Sequence, residues 1–366
     1  MISPGEYIRE ELKKRGWGQG DLATILGRPA QRVNELLQGK LGVSPELAIE
    51  LSAAFGGTAE EWLARESAYR LSLAPESDPD LVRKKASLFE MAPIRDMEKR
   101  GWIAKTKTPE ELEEELRRFF GTSDLTRPPI IPVSTRRTMS YSDQELSPAQ
   151  RAWCFRARAL AAEQMVSPYD DSKFDACVRA LRPLAAFAPE TRKVTAVLNK
   201  FGIRFAIVEP LPGSKIDGAA FWIDDSPAIA VSIRYDRIDA FWFTLCHELS
   251  HVKHRDPLSI DIALVGEEAV PSAMKVDFEE RADNEAADMI IPKEKINSFV
   301  LRVAPLYSKE KIIQFAHVIK VHPGIIVGQL QHRGQIGYQS NREMLVKVRA
   351  HATSGAIVDG WGHMGA

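Results

Sequence analysis

The sequence predicts a multidomain protein in which an all-α domain is followed by an α+β domain. Apolar residues at helical spacing, interrupted by glycines, run over residues 1–71. A segment rich in proline and hydroxyl side chains covers residues 124–150, which is typical of a domain boundary. From residue 151 onward, runs of β-forming residues stand among further helical patterns. Together these observations predict two folded domains and a connection between them.

The domain boundaries follow from the same changes in composition. The predicted parts are an N-terminal domain at 1–71, a helical connector and Pro-rich linker at 72–150, a second domain at 151–345, and a disordered tail at 346–366. Strands are predicted in the second domain at Ile203–Val208, Ala219–Ile223 and Ala228–Ile233, the last two joined as a hairpin. Helices are then predicted at about Asp239–His254 and Phe278–Ile291.

The composition narrows the class of protein. The formal net charge is −1, so an argument for nucleic-acid binding must rest on local charge. The three cysteines show no CxxC spacing, which argues against a disulfide framework. We find no secretory signal at the N-terminus and no apolar stretch long enough to cross a membrane. We therefore expect a cytoplasmic protein with no membrane partner.

Two of the five short helices expected in the first domain form a helix-turn-helix pattern. They cover Gln19–Ile25 and about Pro29–Gln38, with Gly27 relaxing the backbone at the turn. Gln, Arg and Asn side chains can read base edges through paired hydrogen bonds. The outward residues of the second helix are Ala30, Gln31, Arg32 and Asn34. Gln19 and Lys40 are placed to contact phosphates, and Arg28 completes the predicted DNA-binding set.

Local charge supports this interpretation. Residues 1–71 carry nine basic and ten acidic side chains, but residues 13–40 carry six basic against two acidic ones, a net charge of +4. This concentration predicts modest, salt-sensitive binding to double-stranded operator DNA, as a homodimer on paired half-sites. The alternative is a helical protein-interaction domain with a solvated polar face.

A metal site is predicted at His247-Glu248-Leu249-Ser250-His251. Histidines four residues apart lie on one face of a helix and can bind one ion, with the intervening Glu placed to act on water. The apolar residues before His247 predict that this helix is buried. A zincin with a third histidine is excluded, because position 254 is His where that motif has Gly and position 257 is Pro.

The third ligand is predicted downstream, on the helix that begins near Phe278. Glu279 and Asp283 share one face of this helix, so Glu279 can bind the metal while Asp283 orients a ligand histidine. Glu280 is the competing choice, on a face that looks wetter. The alternative is an ordinary acidic helix N-terminus. If the site is catalytic, Zn²⁺ is the cofactor and Glu248 is the general base.

Other residues near the motif receive simpler predictions. We expect Cys246 to be a small buried apolar side chain and His254 to be exposed at the helix end. His322 and Tyr235 are weak candidates for stabilising an oxyanion. The strand Ala228–Ile233 is a candidate for pairing with an extended peptide.

Both halves of the chain resemble known families. Residues 4–63 resemble the Cro/C1-type domain of HigA-like antitoxins over almost the whole length of that domain. Residues 84–103 and 216–252 resemble the ImmA/IrrE metallopeptidase family. The segment EERADNEAADMIIP is similar to that family's ExxAN-x-FA-xx-LLMP segment, whose first Glu is the third zinc ligand. Asp283 replaces the usual Asn of that segment, and Glu285 replaces the usual Phe.

The resemblance implies a small α+β zincin-like domain that binds Zn²⁺ through His247, His251 and Glu279. It also implies a regulated endopeptidase that cleaves a repressor-like protein, carried on a DNA-binding transcription regulator. The alternative is a non-enzymatic HigA-type antitoxin or repressor that binds DNA and a toxin or ligand. A further hypothesis is self-cleavage within residues 124–150.

Overall fold

The computed structural model describes residues 2–74, 78–131, 146–256, 258–262 and 277–360. The protein is mostly helical with a small mixed sheet, and it divides into two compact units, Met1–Val82 and Arg83–Ala366. Among the described helices, none combines the length and the apolar character needed to cross a membrane. The predicted combination of an all-α part and an α+β part therefore agrees with the observed architecture.

The first unit contains the five predicted helices. They are α1 Pro4–Arg15, α2 Gln19–Ile25, α3 Ala30–Leu37, α4 Pro45–Phe55 and α5 Ala59–Leu73. Local sequence explains where these helices begin: Ser3, Ser44 and Thr58 each accept a hydrogen bond from a backbone N–H of the first turn. Pro45 follows its cap at the first helical position, where a missing N–H costs nothing.

One apolar core holds these five helices together. Its fully buried side chains include Ile8, Leu22, Leu47 and Leu51. The tight break between α2 and α3 is made by Gly27, which has a positive φ of 60° that β-carbon-bearing residues adopt at a cost. The backbone N–H of Arg28 then donates to the carbonyl of Ala23, which closes the turn. The predicted helix-turn-helix geometry is thus present in the backbone.

The second unit consists of helices around a five-stranded sheet. Its helices are α6 Pro79–Met91, which begins within the first unit, α7 Ile94–Lys99, α8 Pro109–Phe120, α9 Pro148–Ala162, α10 Phe174–Leu181, α11 Val194–Lys200, α12 Ile238–His254, α13 Asp277–Ile290, α14 Lys293–Val303, α15 Lys309–Ile319, α16 Pro323–His332 and α17 Arg349–Ser354. The strands are β1 Arg204–Ile207, β2 Ile216–Ile223, β3 Ser226–Val231, β4 Leu258–Ile262 and β5 Ile357–Val358.

The sheet has the strand order β4-β2-β3-β1-β5. Strand β1 runs parallel to β3 and β5, whereas β2 pairs antiparallel with β3 and β4. The predicted hairpin is confirmed, since Asp224 takes a positive φ of 53° in the turn between β2 and β3. The proposal that Ala228–Ile233 binds an extended peptide is wrong, because β3 is hydrogen-bonded on both sides within the sheet.

Each face of the sheet packs against a different set of helices. Phe205 and Ile229 belong to the core that contains α11 and α12, whereas Ala206 and Ala230 belong to the core that contains α9. This division follows from the alternation of side chains along a strand. The indole N–H of Trp153 on α9 donates to the carbonyl of Val208 at 2.9 Å and anchors that helix at the end of β1.

The predicted connector at 72–150 is not a separate part. Leu88, Met97 and Leu116, from the helices of that stretch, share a buried core with Trp153 and with one face of the sheet. The apolar faces of these helices are stable only when they are buried, and here they pack in one core with a face of the sheet. Residues 132–145, which make up most of the Pro-rich stretch, lie outside the described residues.

The predicted disordered tail at 346–366 is also corrected. Residues 349–354 form helix α17, and residues 357–358 add strand β5 to the edge of the sheet beside β1. Val348 and Ala352 are buried, and the backbone N–H groups of Val348 and Arg349 donate to Asp236. The small and polar residues of this segment have weak local preferences for helix or strand, so the sequence did not predict its structure. Tertiary contacts stabilise it. Residues 361–366 lie outside the described residues.

Candidate functional site

Helix α12 carries the predicted motif through the interior of the second unit. Its apolar residues Trp242, Leu245 and Leu249 belong to the main core, so the imidazoles of His247 and His251 are enclosed with them. The helix ends where Arg255 takes a left-handed conformation with φ 53°. This turn brings the following residues back toward α12. Helix α13 packs beside α12 and presents Glu279 to the two imidazoles.

The three predicted metal ligands converge. Ligand atoms of His247, His251 and Glu279 lie within 4.8 Å of one another, and all three residues are buried. Oε2 of Glu279 is 3.1 Å from Nε2 of His247 and 3.7 Å from Nε2 of His251. Glu280, the competing residue, is exposed. The helical spacing of the motif therefore produces a compact group of donors that can hold a metal ion.

Carboxylates behind the imidazoles determine which nitrogens face the cluster. Nδ1 of His247 lies 3.0 Å from Oδ1 of Asp283, as the sequence analysis predicted for that aspartate. Nδ1 of His251 lies 2.9 Å from Oδ2 of Asp256, a residue that the sequence analysis did not identify. The hydrogen bond at Nδ1 of His251, and the Asp283 carboxylate close to Nδ1 of His247, leave the Nε2 atoms as the ligands and raise their basicity. Each ligand histidine therefore has its own orienting carboxylate.

Asp256 lies in a strongly polar setting just beyond the end of α12. Burial opposes its ionisation, but the hydrogen bond to His251 and the nearby charges of His251 and Arg281 lower its pKa below the ordinary value. Nη2 of Arg281 lies 2.7 Å from the same carboxylate oxygen. The position of Asp256, five residues after His251 and beyond the helix end, is the only sequence signal that could have identified this carboxylate. The ionised form is the one that supports a ligand imidazole.

Glu248 lies between the ligands and the sheet. Its side chain is fully buried, and a β-carbon added to Gly218 on β2 would lie 2.2 Å from its Oε1 atom. The same added carbon would lie 2.8 Å from Cγ2 of Thr244. An alanine at position 218 would therefore require the side chains of Glu248 and Thr244 to shift. The strand and the helix therefore fit together around the residue predicted to be the general base.

The donor set fits a divalent metal ion of the zinc type. Two imidazole nitrogens and one carboxylate oxygen are the ligand combination found in many catalytic zinc sites. Burying three titratable groups next to one another costs folding free energy unless a cation or hydrogen bonds compensate them. The two orienting carboxylates, Asp256 and Asp283, complete an arrangement that favours a bound cation.

A cavity opens one helical turn from the first ligand. It has a volume of about 60 Å³ and lies among α12, α13 and α16. The ring of Phe243 lines it and is centred 6.2 Å from the ring of His247 and 5.5 Å from that of His332. Its other walls include Trp242, Ala286, Ile290 and Gln329. Apolar surface predominates in the cavity, but charged side chains such as Arg237, Asp239 and Arg333 also line it.

Glu285 is compatible with its surroundings, although the resembling segment has Phe there. Its carboxylate accepts hydrogen bonds from Ser250 at 2.9 Å and Lys253 at 3.1 Å, and it pairs with His254 at 2.9 Å. His254 is therefore directed toward Glu285, and it does not belong to the group of metal-capable residues found in the described part of the chain. The acid links α12 to α13 without entering an apolar core.

The remaining predictions near the motif concern Cys246, His322 and Tyr235. Cys246 is buried as expected, and burial raises the pKa of its thiol to about 12. The imidazole of His322 caps α16 by accepting a hydrogen bond from the backbone N–H of Gly324. The guanidinium of Arg234 lies over the ring of Tyr235. The role of His322 and Tyr235 in stabilising an oxyanion stays a prediction.

The helix-turn-helix region in the first unit presents a polar surface on α3. Ala30, Gln31 and Arg32 are exposed at the start of this helix, whereas Val33, Leu36 and Leu37 are buried on the opposite side. Asn34 is half-buried, and its side-chain oxygen accepts a hydrogen bond from Gln38. Lys40 is exposed just after the helix. These positions agree with the predicted outward face.

Several of the predicted DNA contacts have intramolecular partners: Gln31 and Arg32 contact Glu35 within α3, and two others link different helices. Arg28 forms a bidentate ion pair with Glu50 on α4, with N–O distances of 2.6 and 2.9 Å. Nε2 of Gln19 donates to the carbonyl of Ala30 at 3.1 Å and links the start of α2 to the start of α3. Both side chains therefore stabilise the helix-turn-helix arrangement, which the sequence analysis did not anticipate.

Comparison with known proteins concerns the first unit. About 75 N-terminal residues match three bacterial proteins. Virulence-associated protein I of Dichelobacter nodosus is 38% identical over 76 residues, which are 20% of this chain and 70% of that protein. The uncharacterized HTH-type transcriptional regulator YddM of Escherichia coli K12 is 30% identical over 74 residues, 20% of this chain and 79% of that protein.

A third relative covers nearly the same share. Virulence-associated protein A' of Dichelobacter nodosus is 35% identical over 81 residues, which are 22% of this chain and 70% of that protein. No family model matches the chain. Each relative is matched over more than two thirds of its length, and the matched region of this chain has the fold of α1 to α5. Through its N-terminal unit, the chain belongs to the family that includes virulence-associated protein I and the HTH-type transcriptional regulator YddM.

Proposed function

We propose that this protein is a DNA-binding transcription regulator whose second unit is a zinc-dependent endopeptidase. The observation that carries the peptidase part is the convergence of His247, His251 and Glu279 beside the buried carboxylate of Glu248. The observation that carries the DNA-binding part is the family membership of the first unit. The proposed protein substrate is a repressor-like protein, and the second unit would have the zincin-like fold.

The chain's own residues would divide the work of peptide hydrolysis. His247, His251 and Glu279 would hold the metal, and Asp256 and Asp283 would orient the two imidazoles. A bound zinc ion supplies Lewis acidity and lowers the pKa of water. The carboxylate of Glu248 would accept a proton from the attacking water and pass it to the leaving amine nitrogen. The apolar cavity beside Phe243 would hold a side chain of the peptide.

The first unit would bind operator DNA as a homodimer. The exposed start of α3 would enter the major groove, where Gln31, Arg32 and Asn34 would contact base edges. Lys40 would contact a phosphate, and Gln19 and Arg28 would chiefly position the two helices. A set of duplexes selected from random sequence by the full chain tests this assignment. No selective enrichment of any sequence would argue against sequence-specific binding.

A second candidate function is a regulator without peptidase activity. The complete burial of Glu248, together with the hydroxyl of Ser259 beside the ligands, favours it, because a catalytic zinc site keeps an open coordination position. In this case the metal centre would stabilise the second unit, which would bind a ligand or a protein such as a toxin.

A comparison of wild type with Glu248→Gln distinguishes the two functions. Both proteins are loaded with zinc and incubated with a peptide library prepared from bacterial proteins, and new peptide termini are identified by mass spectrometry. New termini that arise with wild type and disappear with Glu248→Gln, at equal zinc content, support the peptidase. Equal, background-level cleavage by wild type, by Glu248→Gln and by Ser259→Ala, which lacks the hydroxyl beside the ligands, contradicts it and favours the second candidate.

A further inference from the structure

Ser259 on β4 lies against the predicted metal ligands. Its hydroxyl oxygen is 3.1 Å from Nε2 of His251 and 3.2 Å from Oε1 of Glu279. Both of these atoms belong to groups that the metal site would use. Ser259 is fully buried, and so is the imidazole of His251. A third kind of donor, an alcohol oxygen, is therefore enclosed with the two imidazoles and the carboxylate.

The register of the sheet directs Ser259 toward the cluster. Strand β4 pairs antiparallel with β2, and Ser259 lies opposite Ala220. Its neighbours Leu258 and Ile260 belong to the core on the α9 side of the sheet. Because side chains alternate along a strand, Ser259 faces the other side, where α12 lies. An apolar residue would satisfy burial equally well at this position, so the polar side chain needs another explanation.

A buried hydroxyl needs partners, and here both of its partners are prospective metal ligands. The Ser259 hydroxyl donates to Glu279, and its oxygen lies within hydrogen-bond distance of the His251 imidazole. A cation held by Nε2 of His251 and the Glu279 carboxylate would bind on the side of both groups that faces the hydroxyl. The oxygen of Ser259 would then have the cation as its nearest electrophile.

We propose that Ser259 is a fourth protein donor to the metal ion and closes the position that the hydrolytic water requires. Four protein donors are typical of closed metal sites, whereas catalytic sites keep one position for water or substrate. The protein would therefore be a latent peptidase, activated when the Ser259 oxygen is displaced. The role of Ser259 as a donor rests on the proposed function only in requiring that the cluster binds a divalent cation, whereas latency also rests on the proposed peptidase activity.

A cysteine at position 259 reports directly on this arrangement. The full chain carrying Ser259→Cys is loaded with Co²⁺, whose bond to a thiolate gives an intense charge-transfer band in the near ultraviolet. The matched control is Ser214→Cys, because Ser214 is also fully buried in the second unit but its hydroxyl donates to the carbonyl of Leu211. We expect the band in Ser259→Cys and its absence in Ser214→Cys. Stoichiometric Co²⁺ in Ser259→Cys without that band would overturn the inference.

Ser259→Ala provides a second test that does not depend on thiol chemistry. Removal of the hydroxyl opens a coordination position, so acetohydroxamate should bind the Co²⁺ protein about tenfold more tightly in Ser259→Ala than in wild type. The visible spectrum of Co²⁺ measures this affinity, and Ser214→Ala should match wild type. Equal acetohydroxamate affinities in wild type and Ser259→Ala would also overturn the proposal.

The failure of this inference can be distinguished from the failure of the proposed function. If wild type binds no Co²⁺, the metal centre itself is wrong and the role of Ser259 fails with it. If wild type binds Co²⁺ and neither Ser259 variant behaves as expected, only the closed site is wrong. If both variants behave as expected and Ser259→Ala cleaves the peptide library faster than wild type, the latent peptidase is supported.

Discussion

Nδ1 of His251 lies 2.9 Å from Oδ2 of Asp256, although Asp256 belongs to the turn that follows α12 rather than to the helix itself. The left-handed residue Arg255 reverses the chain so that the carboxylate returns to the imidazole. The backbone strengthens this arrangement, since the N–H of Asp256 donates to the carbonyl of His251. The second ligand histidine is thus oriented by a residue only five positions away.

Removal of that carboxylate should weaken metal binding. We expect Asp256→Ala to reduce zinc affinity by about 10- to 100-fold, because an orienting hydrogen bond to a ligand histidine is lost. Asp171→Ala is the control, since Asp171 pairs with Arg255 on the surface nearby. Competition with a chelating dye measures the affinity. Equal zinc affinity for Asp256→Ala and wild type would show that the contact does not support the metal site.

The fit between Gly218 and Glu248 predicts a penalty for the smallest added side chain. Gly218→Ala would place a carbon 2.2 Å from Oε1 of a fully buried carboxylate. We expect the free energy of unfolding of the second unit to fall by about 1–3 kcal/mol, as in other overpacked interiors. Gly337→Ala is the matched control, because an added carbon there meets no atom within 4 Å. Denaturant unfolding measures both, and equal stabilities would contradict the proposed close packing.

The exposed start of α3 predicts which substitutions weaken DNA binding. Arg32→Ala should cost about 1–3 kcal/mol of binding free energy on a selected duplex, because a base-reading side chain is removed. Arg65→Ala on α5 removes a comparable exposed charge, whose guanidinium lies over the Tyr7 ring on α1, and should have little effect. Fluorescence anisotropy at fixed salt measures the difference. An equal loss of affinity in both variants would indicate a nonspecific charge effect rather than recognition by α3.

The ion-paired Glu285 predicts acid sensitivity. Burial opposes its ionisation, but hydrogen bonds from His254, Ser250 and Lys253 lower its pKa below the ordinary 4.5. A lowered pKa in the folded state stabilises the protein above pH 4.5, and this contribution disappears as the pH falls through the folded-state pKa. We expect Glu285→Gln to lose about 1 kcal/mol at pH 7 and to lose less further stability on acidification than wild type.

Urea unfolding at several pH values between about 7 and 3 tests this expectation, because the two proteins differ only at position 285. Asp175, Arg179, Arg182 and Asp288 line the same surface cleft and remain unchanged in both proteins. The difference in stability between wild type and Glu285→Gln should therefore shrink as the pH falls. A difference that stays constant over this range would mean that the ionisation of Glu285 does not stabilise the fold.

Sequence patterns predicted the features that depend on residues close together in the chain. The spacing of His247 and His251 predicts a shared face because a helix repeats every 3.6 residues. Glu279 and Asp283 are predictable for the same reason, and both proved to lie beside the ligand histidines. The turn at Gly27 is likewise governed by a few adjacent residues.

Long-range pairing accounts for what the sequence patterns did not predict. The sequence of strand β3 is typical of any short apolar strand. Only the strand order shows that β2 and β1 pair with its two edges. Sequence patterns assigned Arg28 to DNA binding because they do not show its ion pair with Glu50, which is 22 residues away in the chain. The polar stretch that contains α17 and β5 has weak local preferences, and its order depends on burial against the rest of the unit.

By itself the sequence determined which residues could form the helix-turn-helix and which three could ligate a metal, because both depend on helical periodicity. Only the tertiary structure decided that Asp256 would support His251 and that Ser259 would reach the ligands. The first depends on a chain reversal at Arg255, and the second depends on the register between β4 and β2. A strand's register is set by the packing of the whole sheet, and a one-residue shift would turn Ser259 to the opposite face.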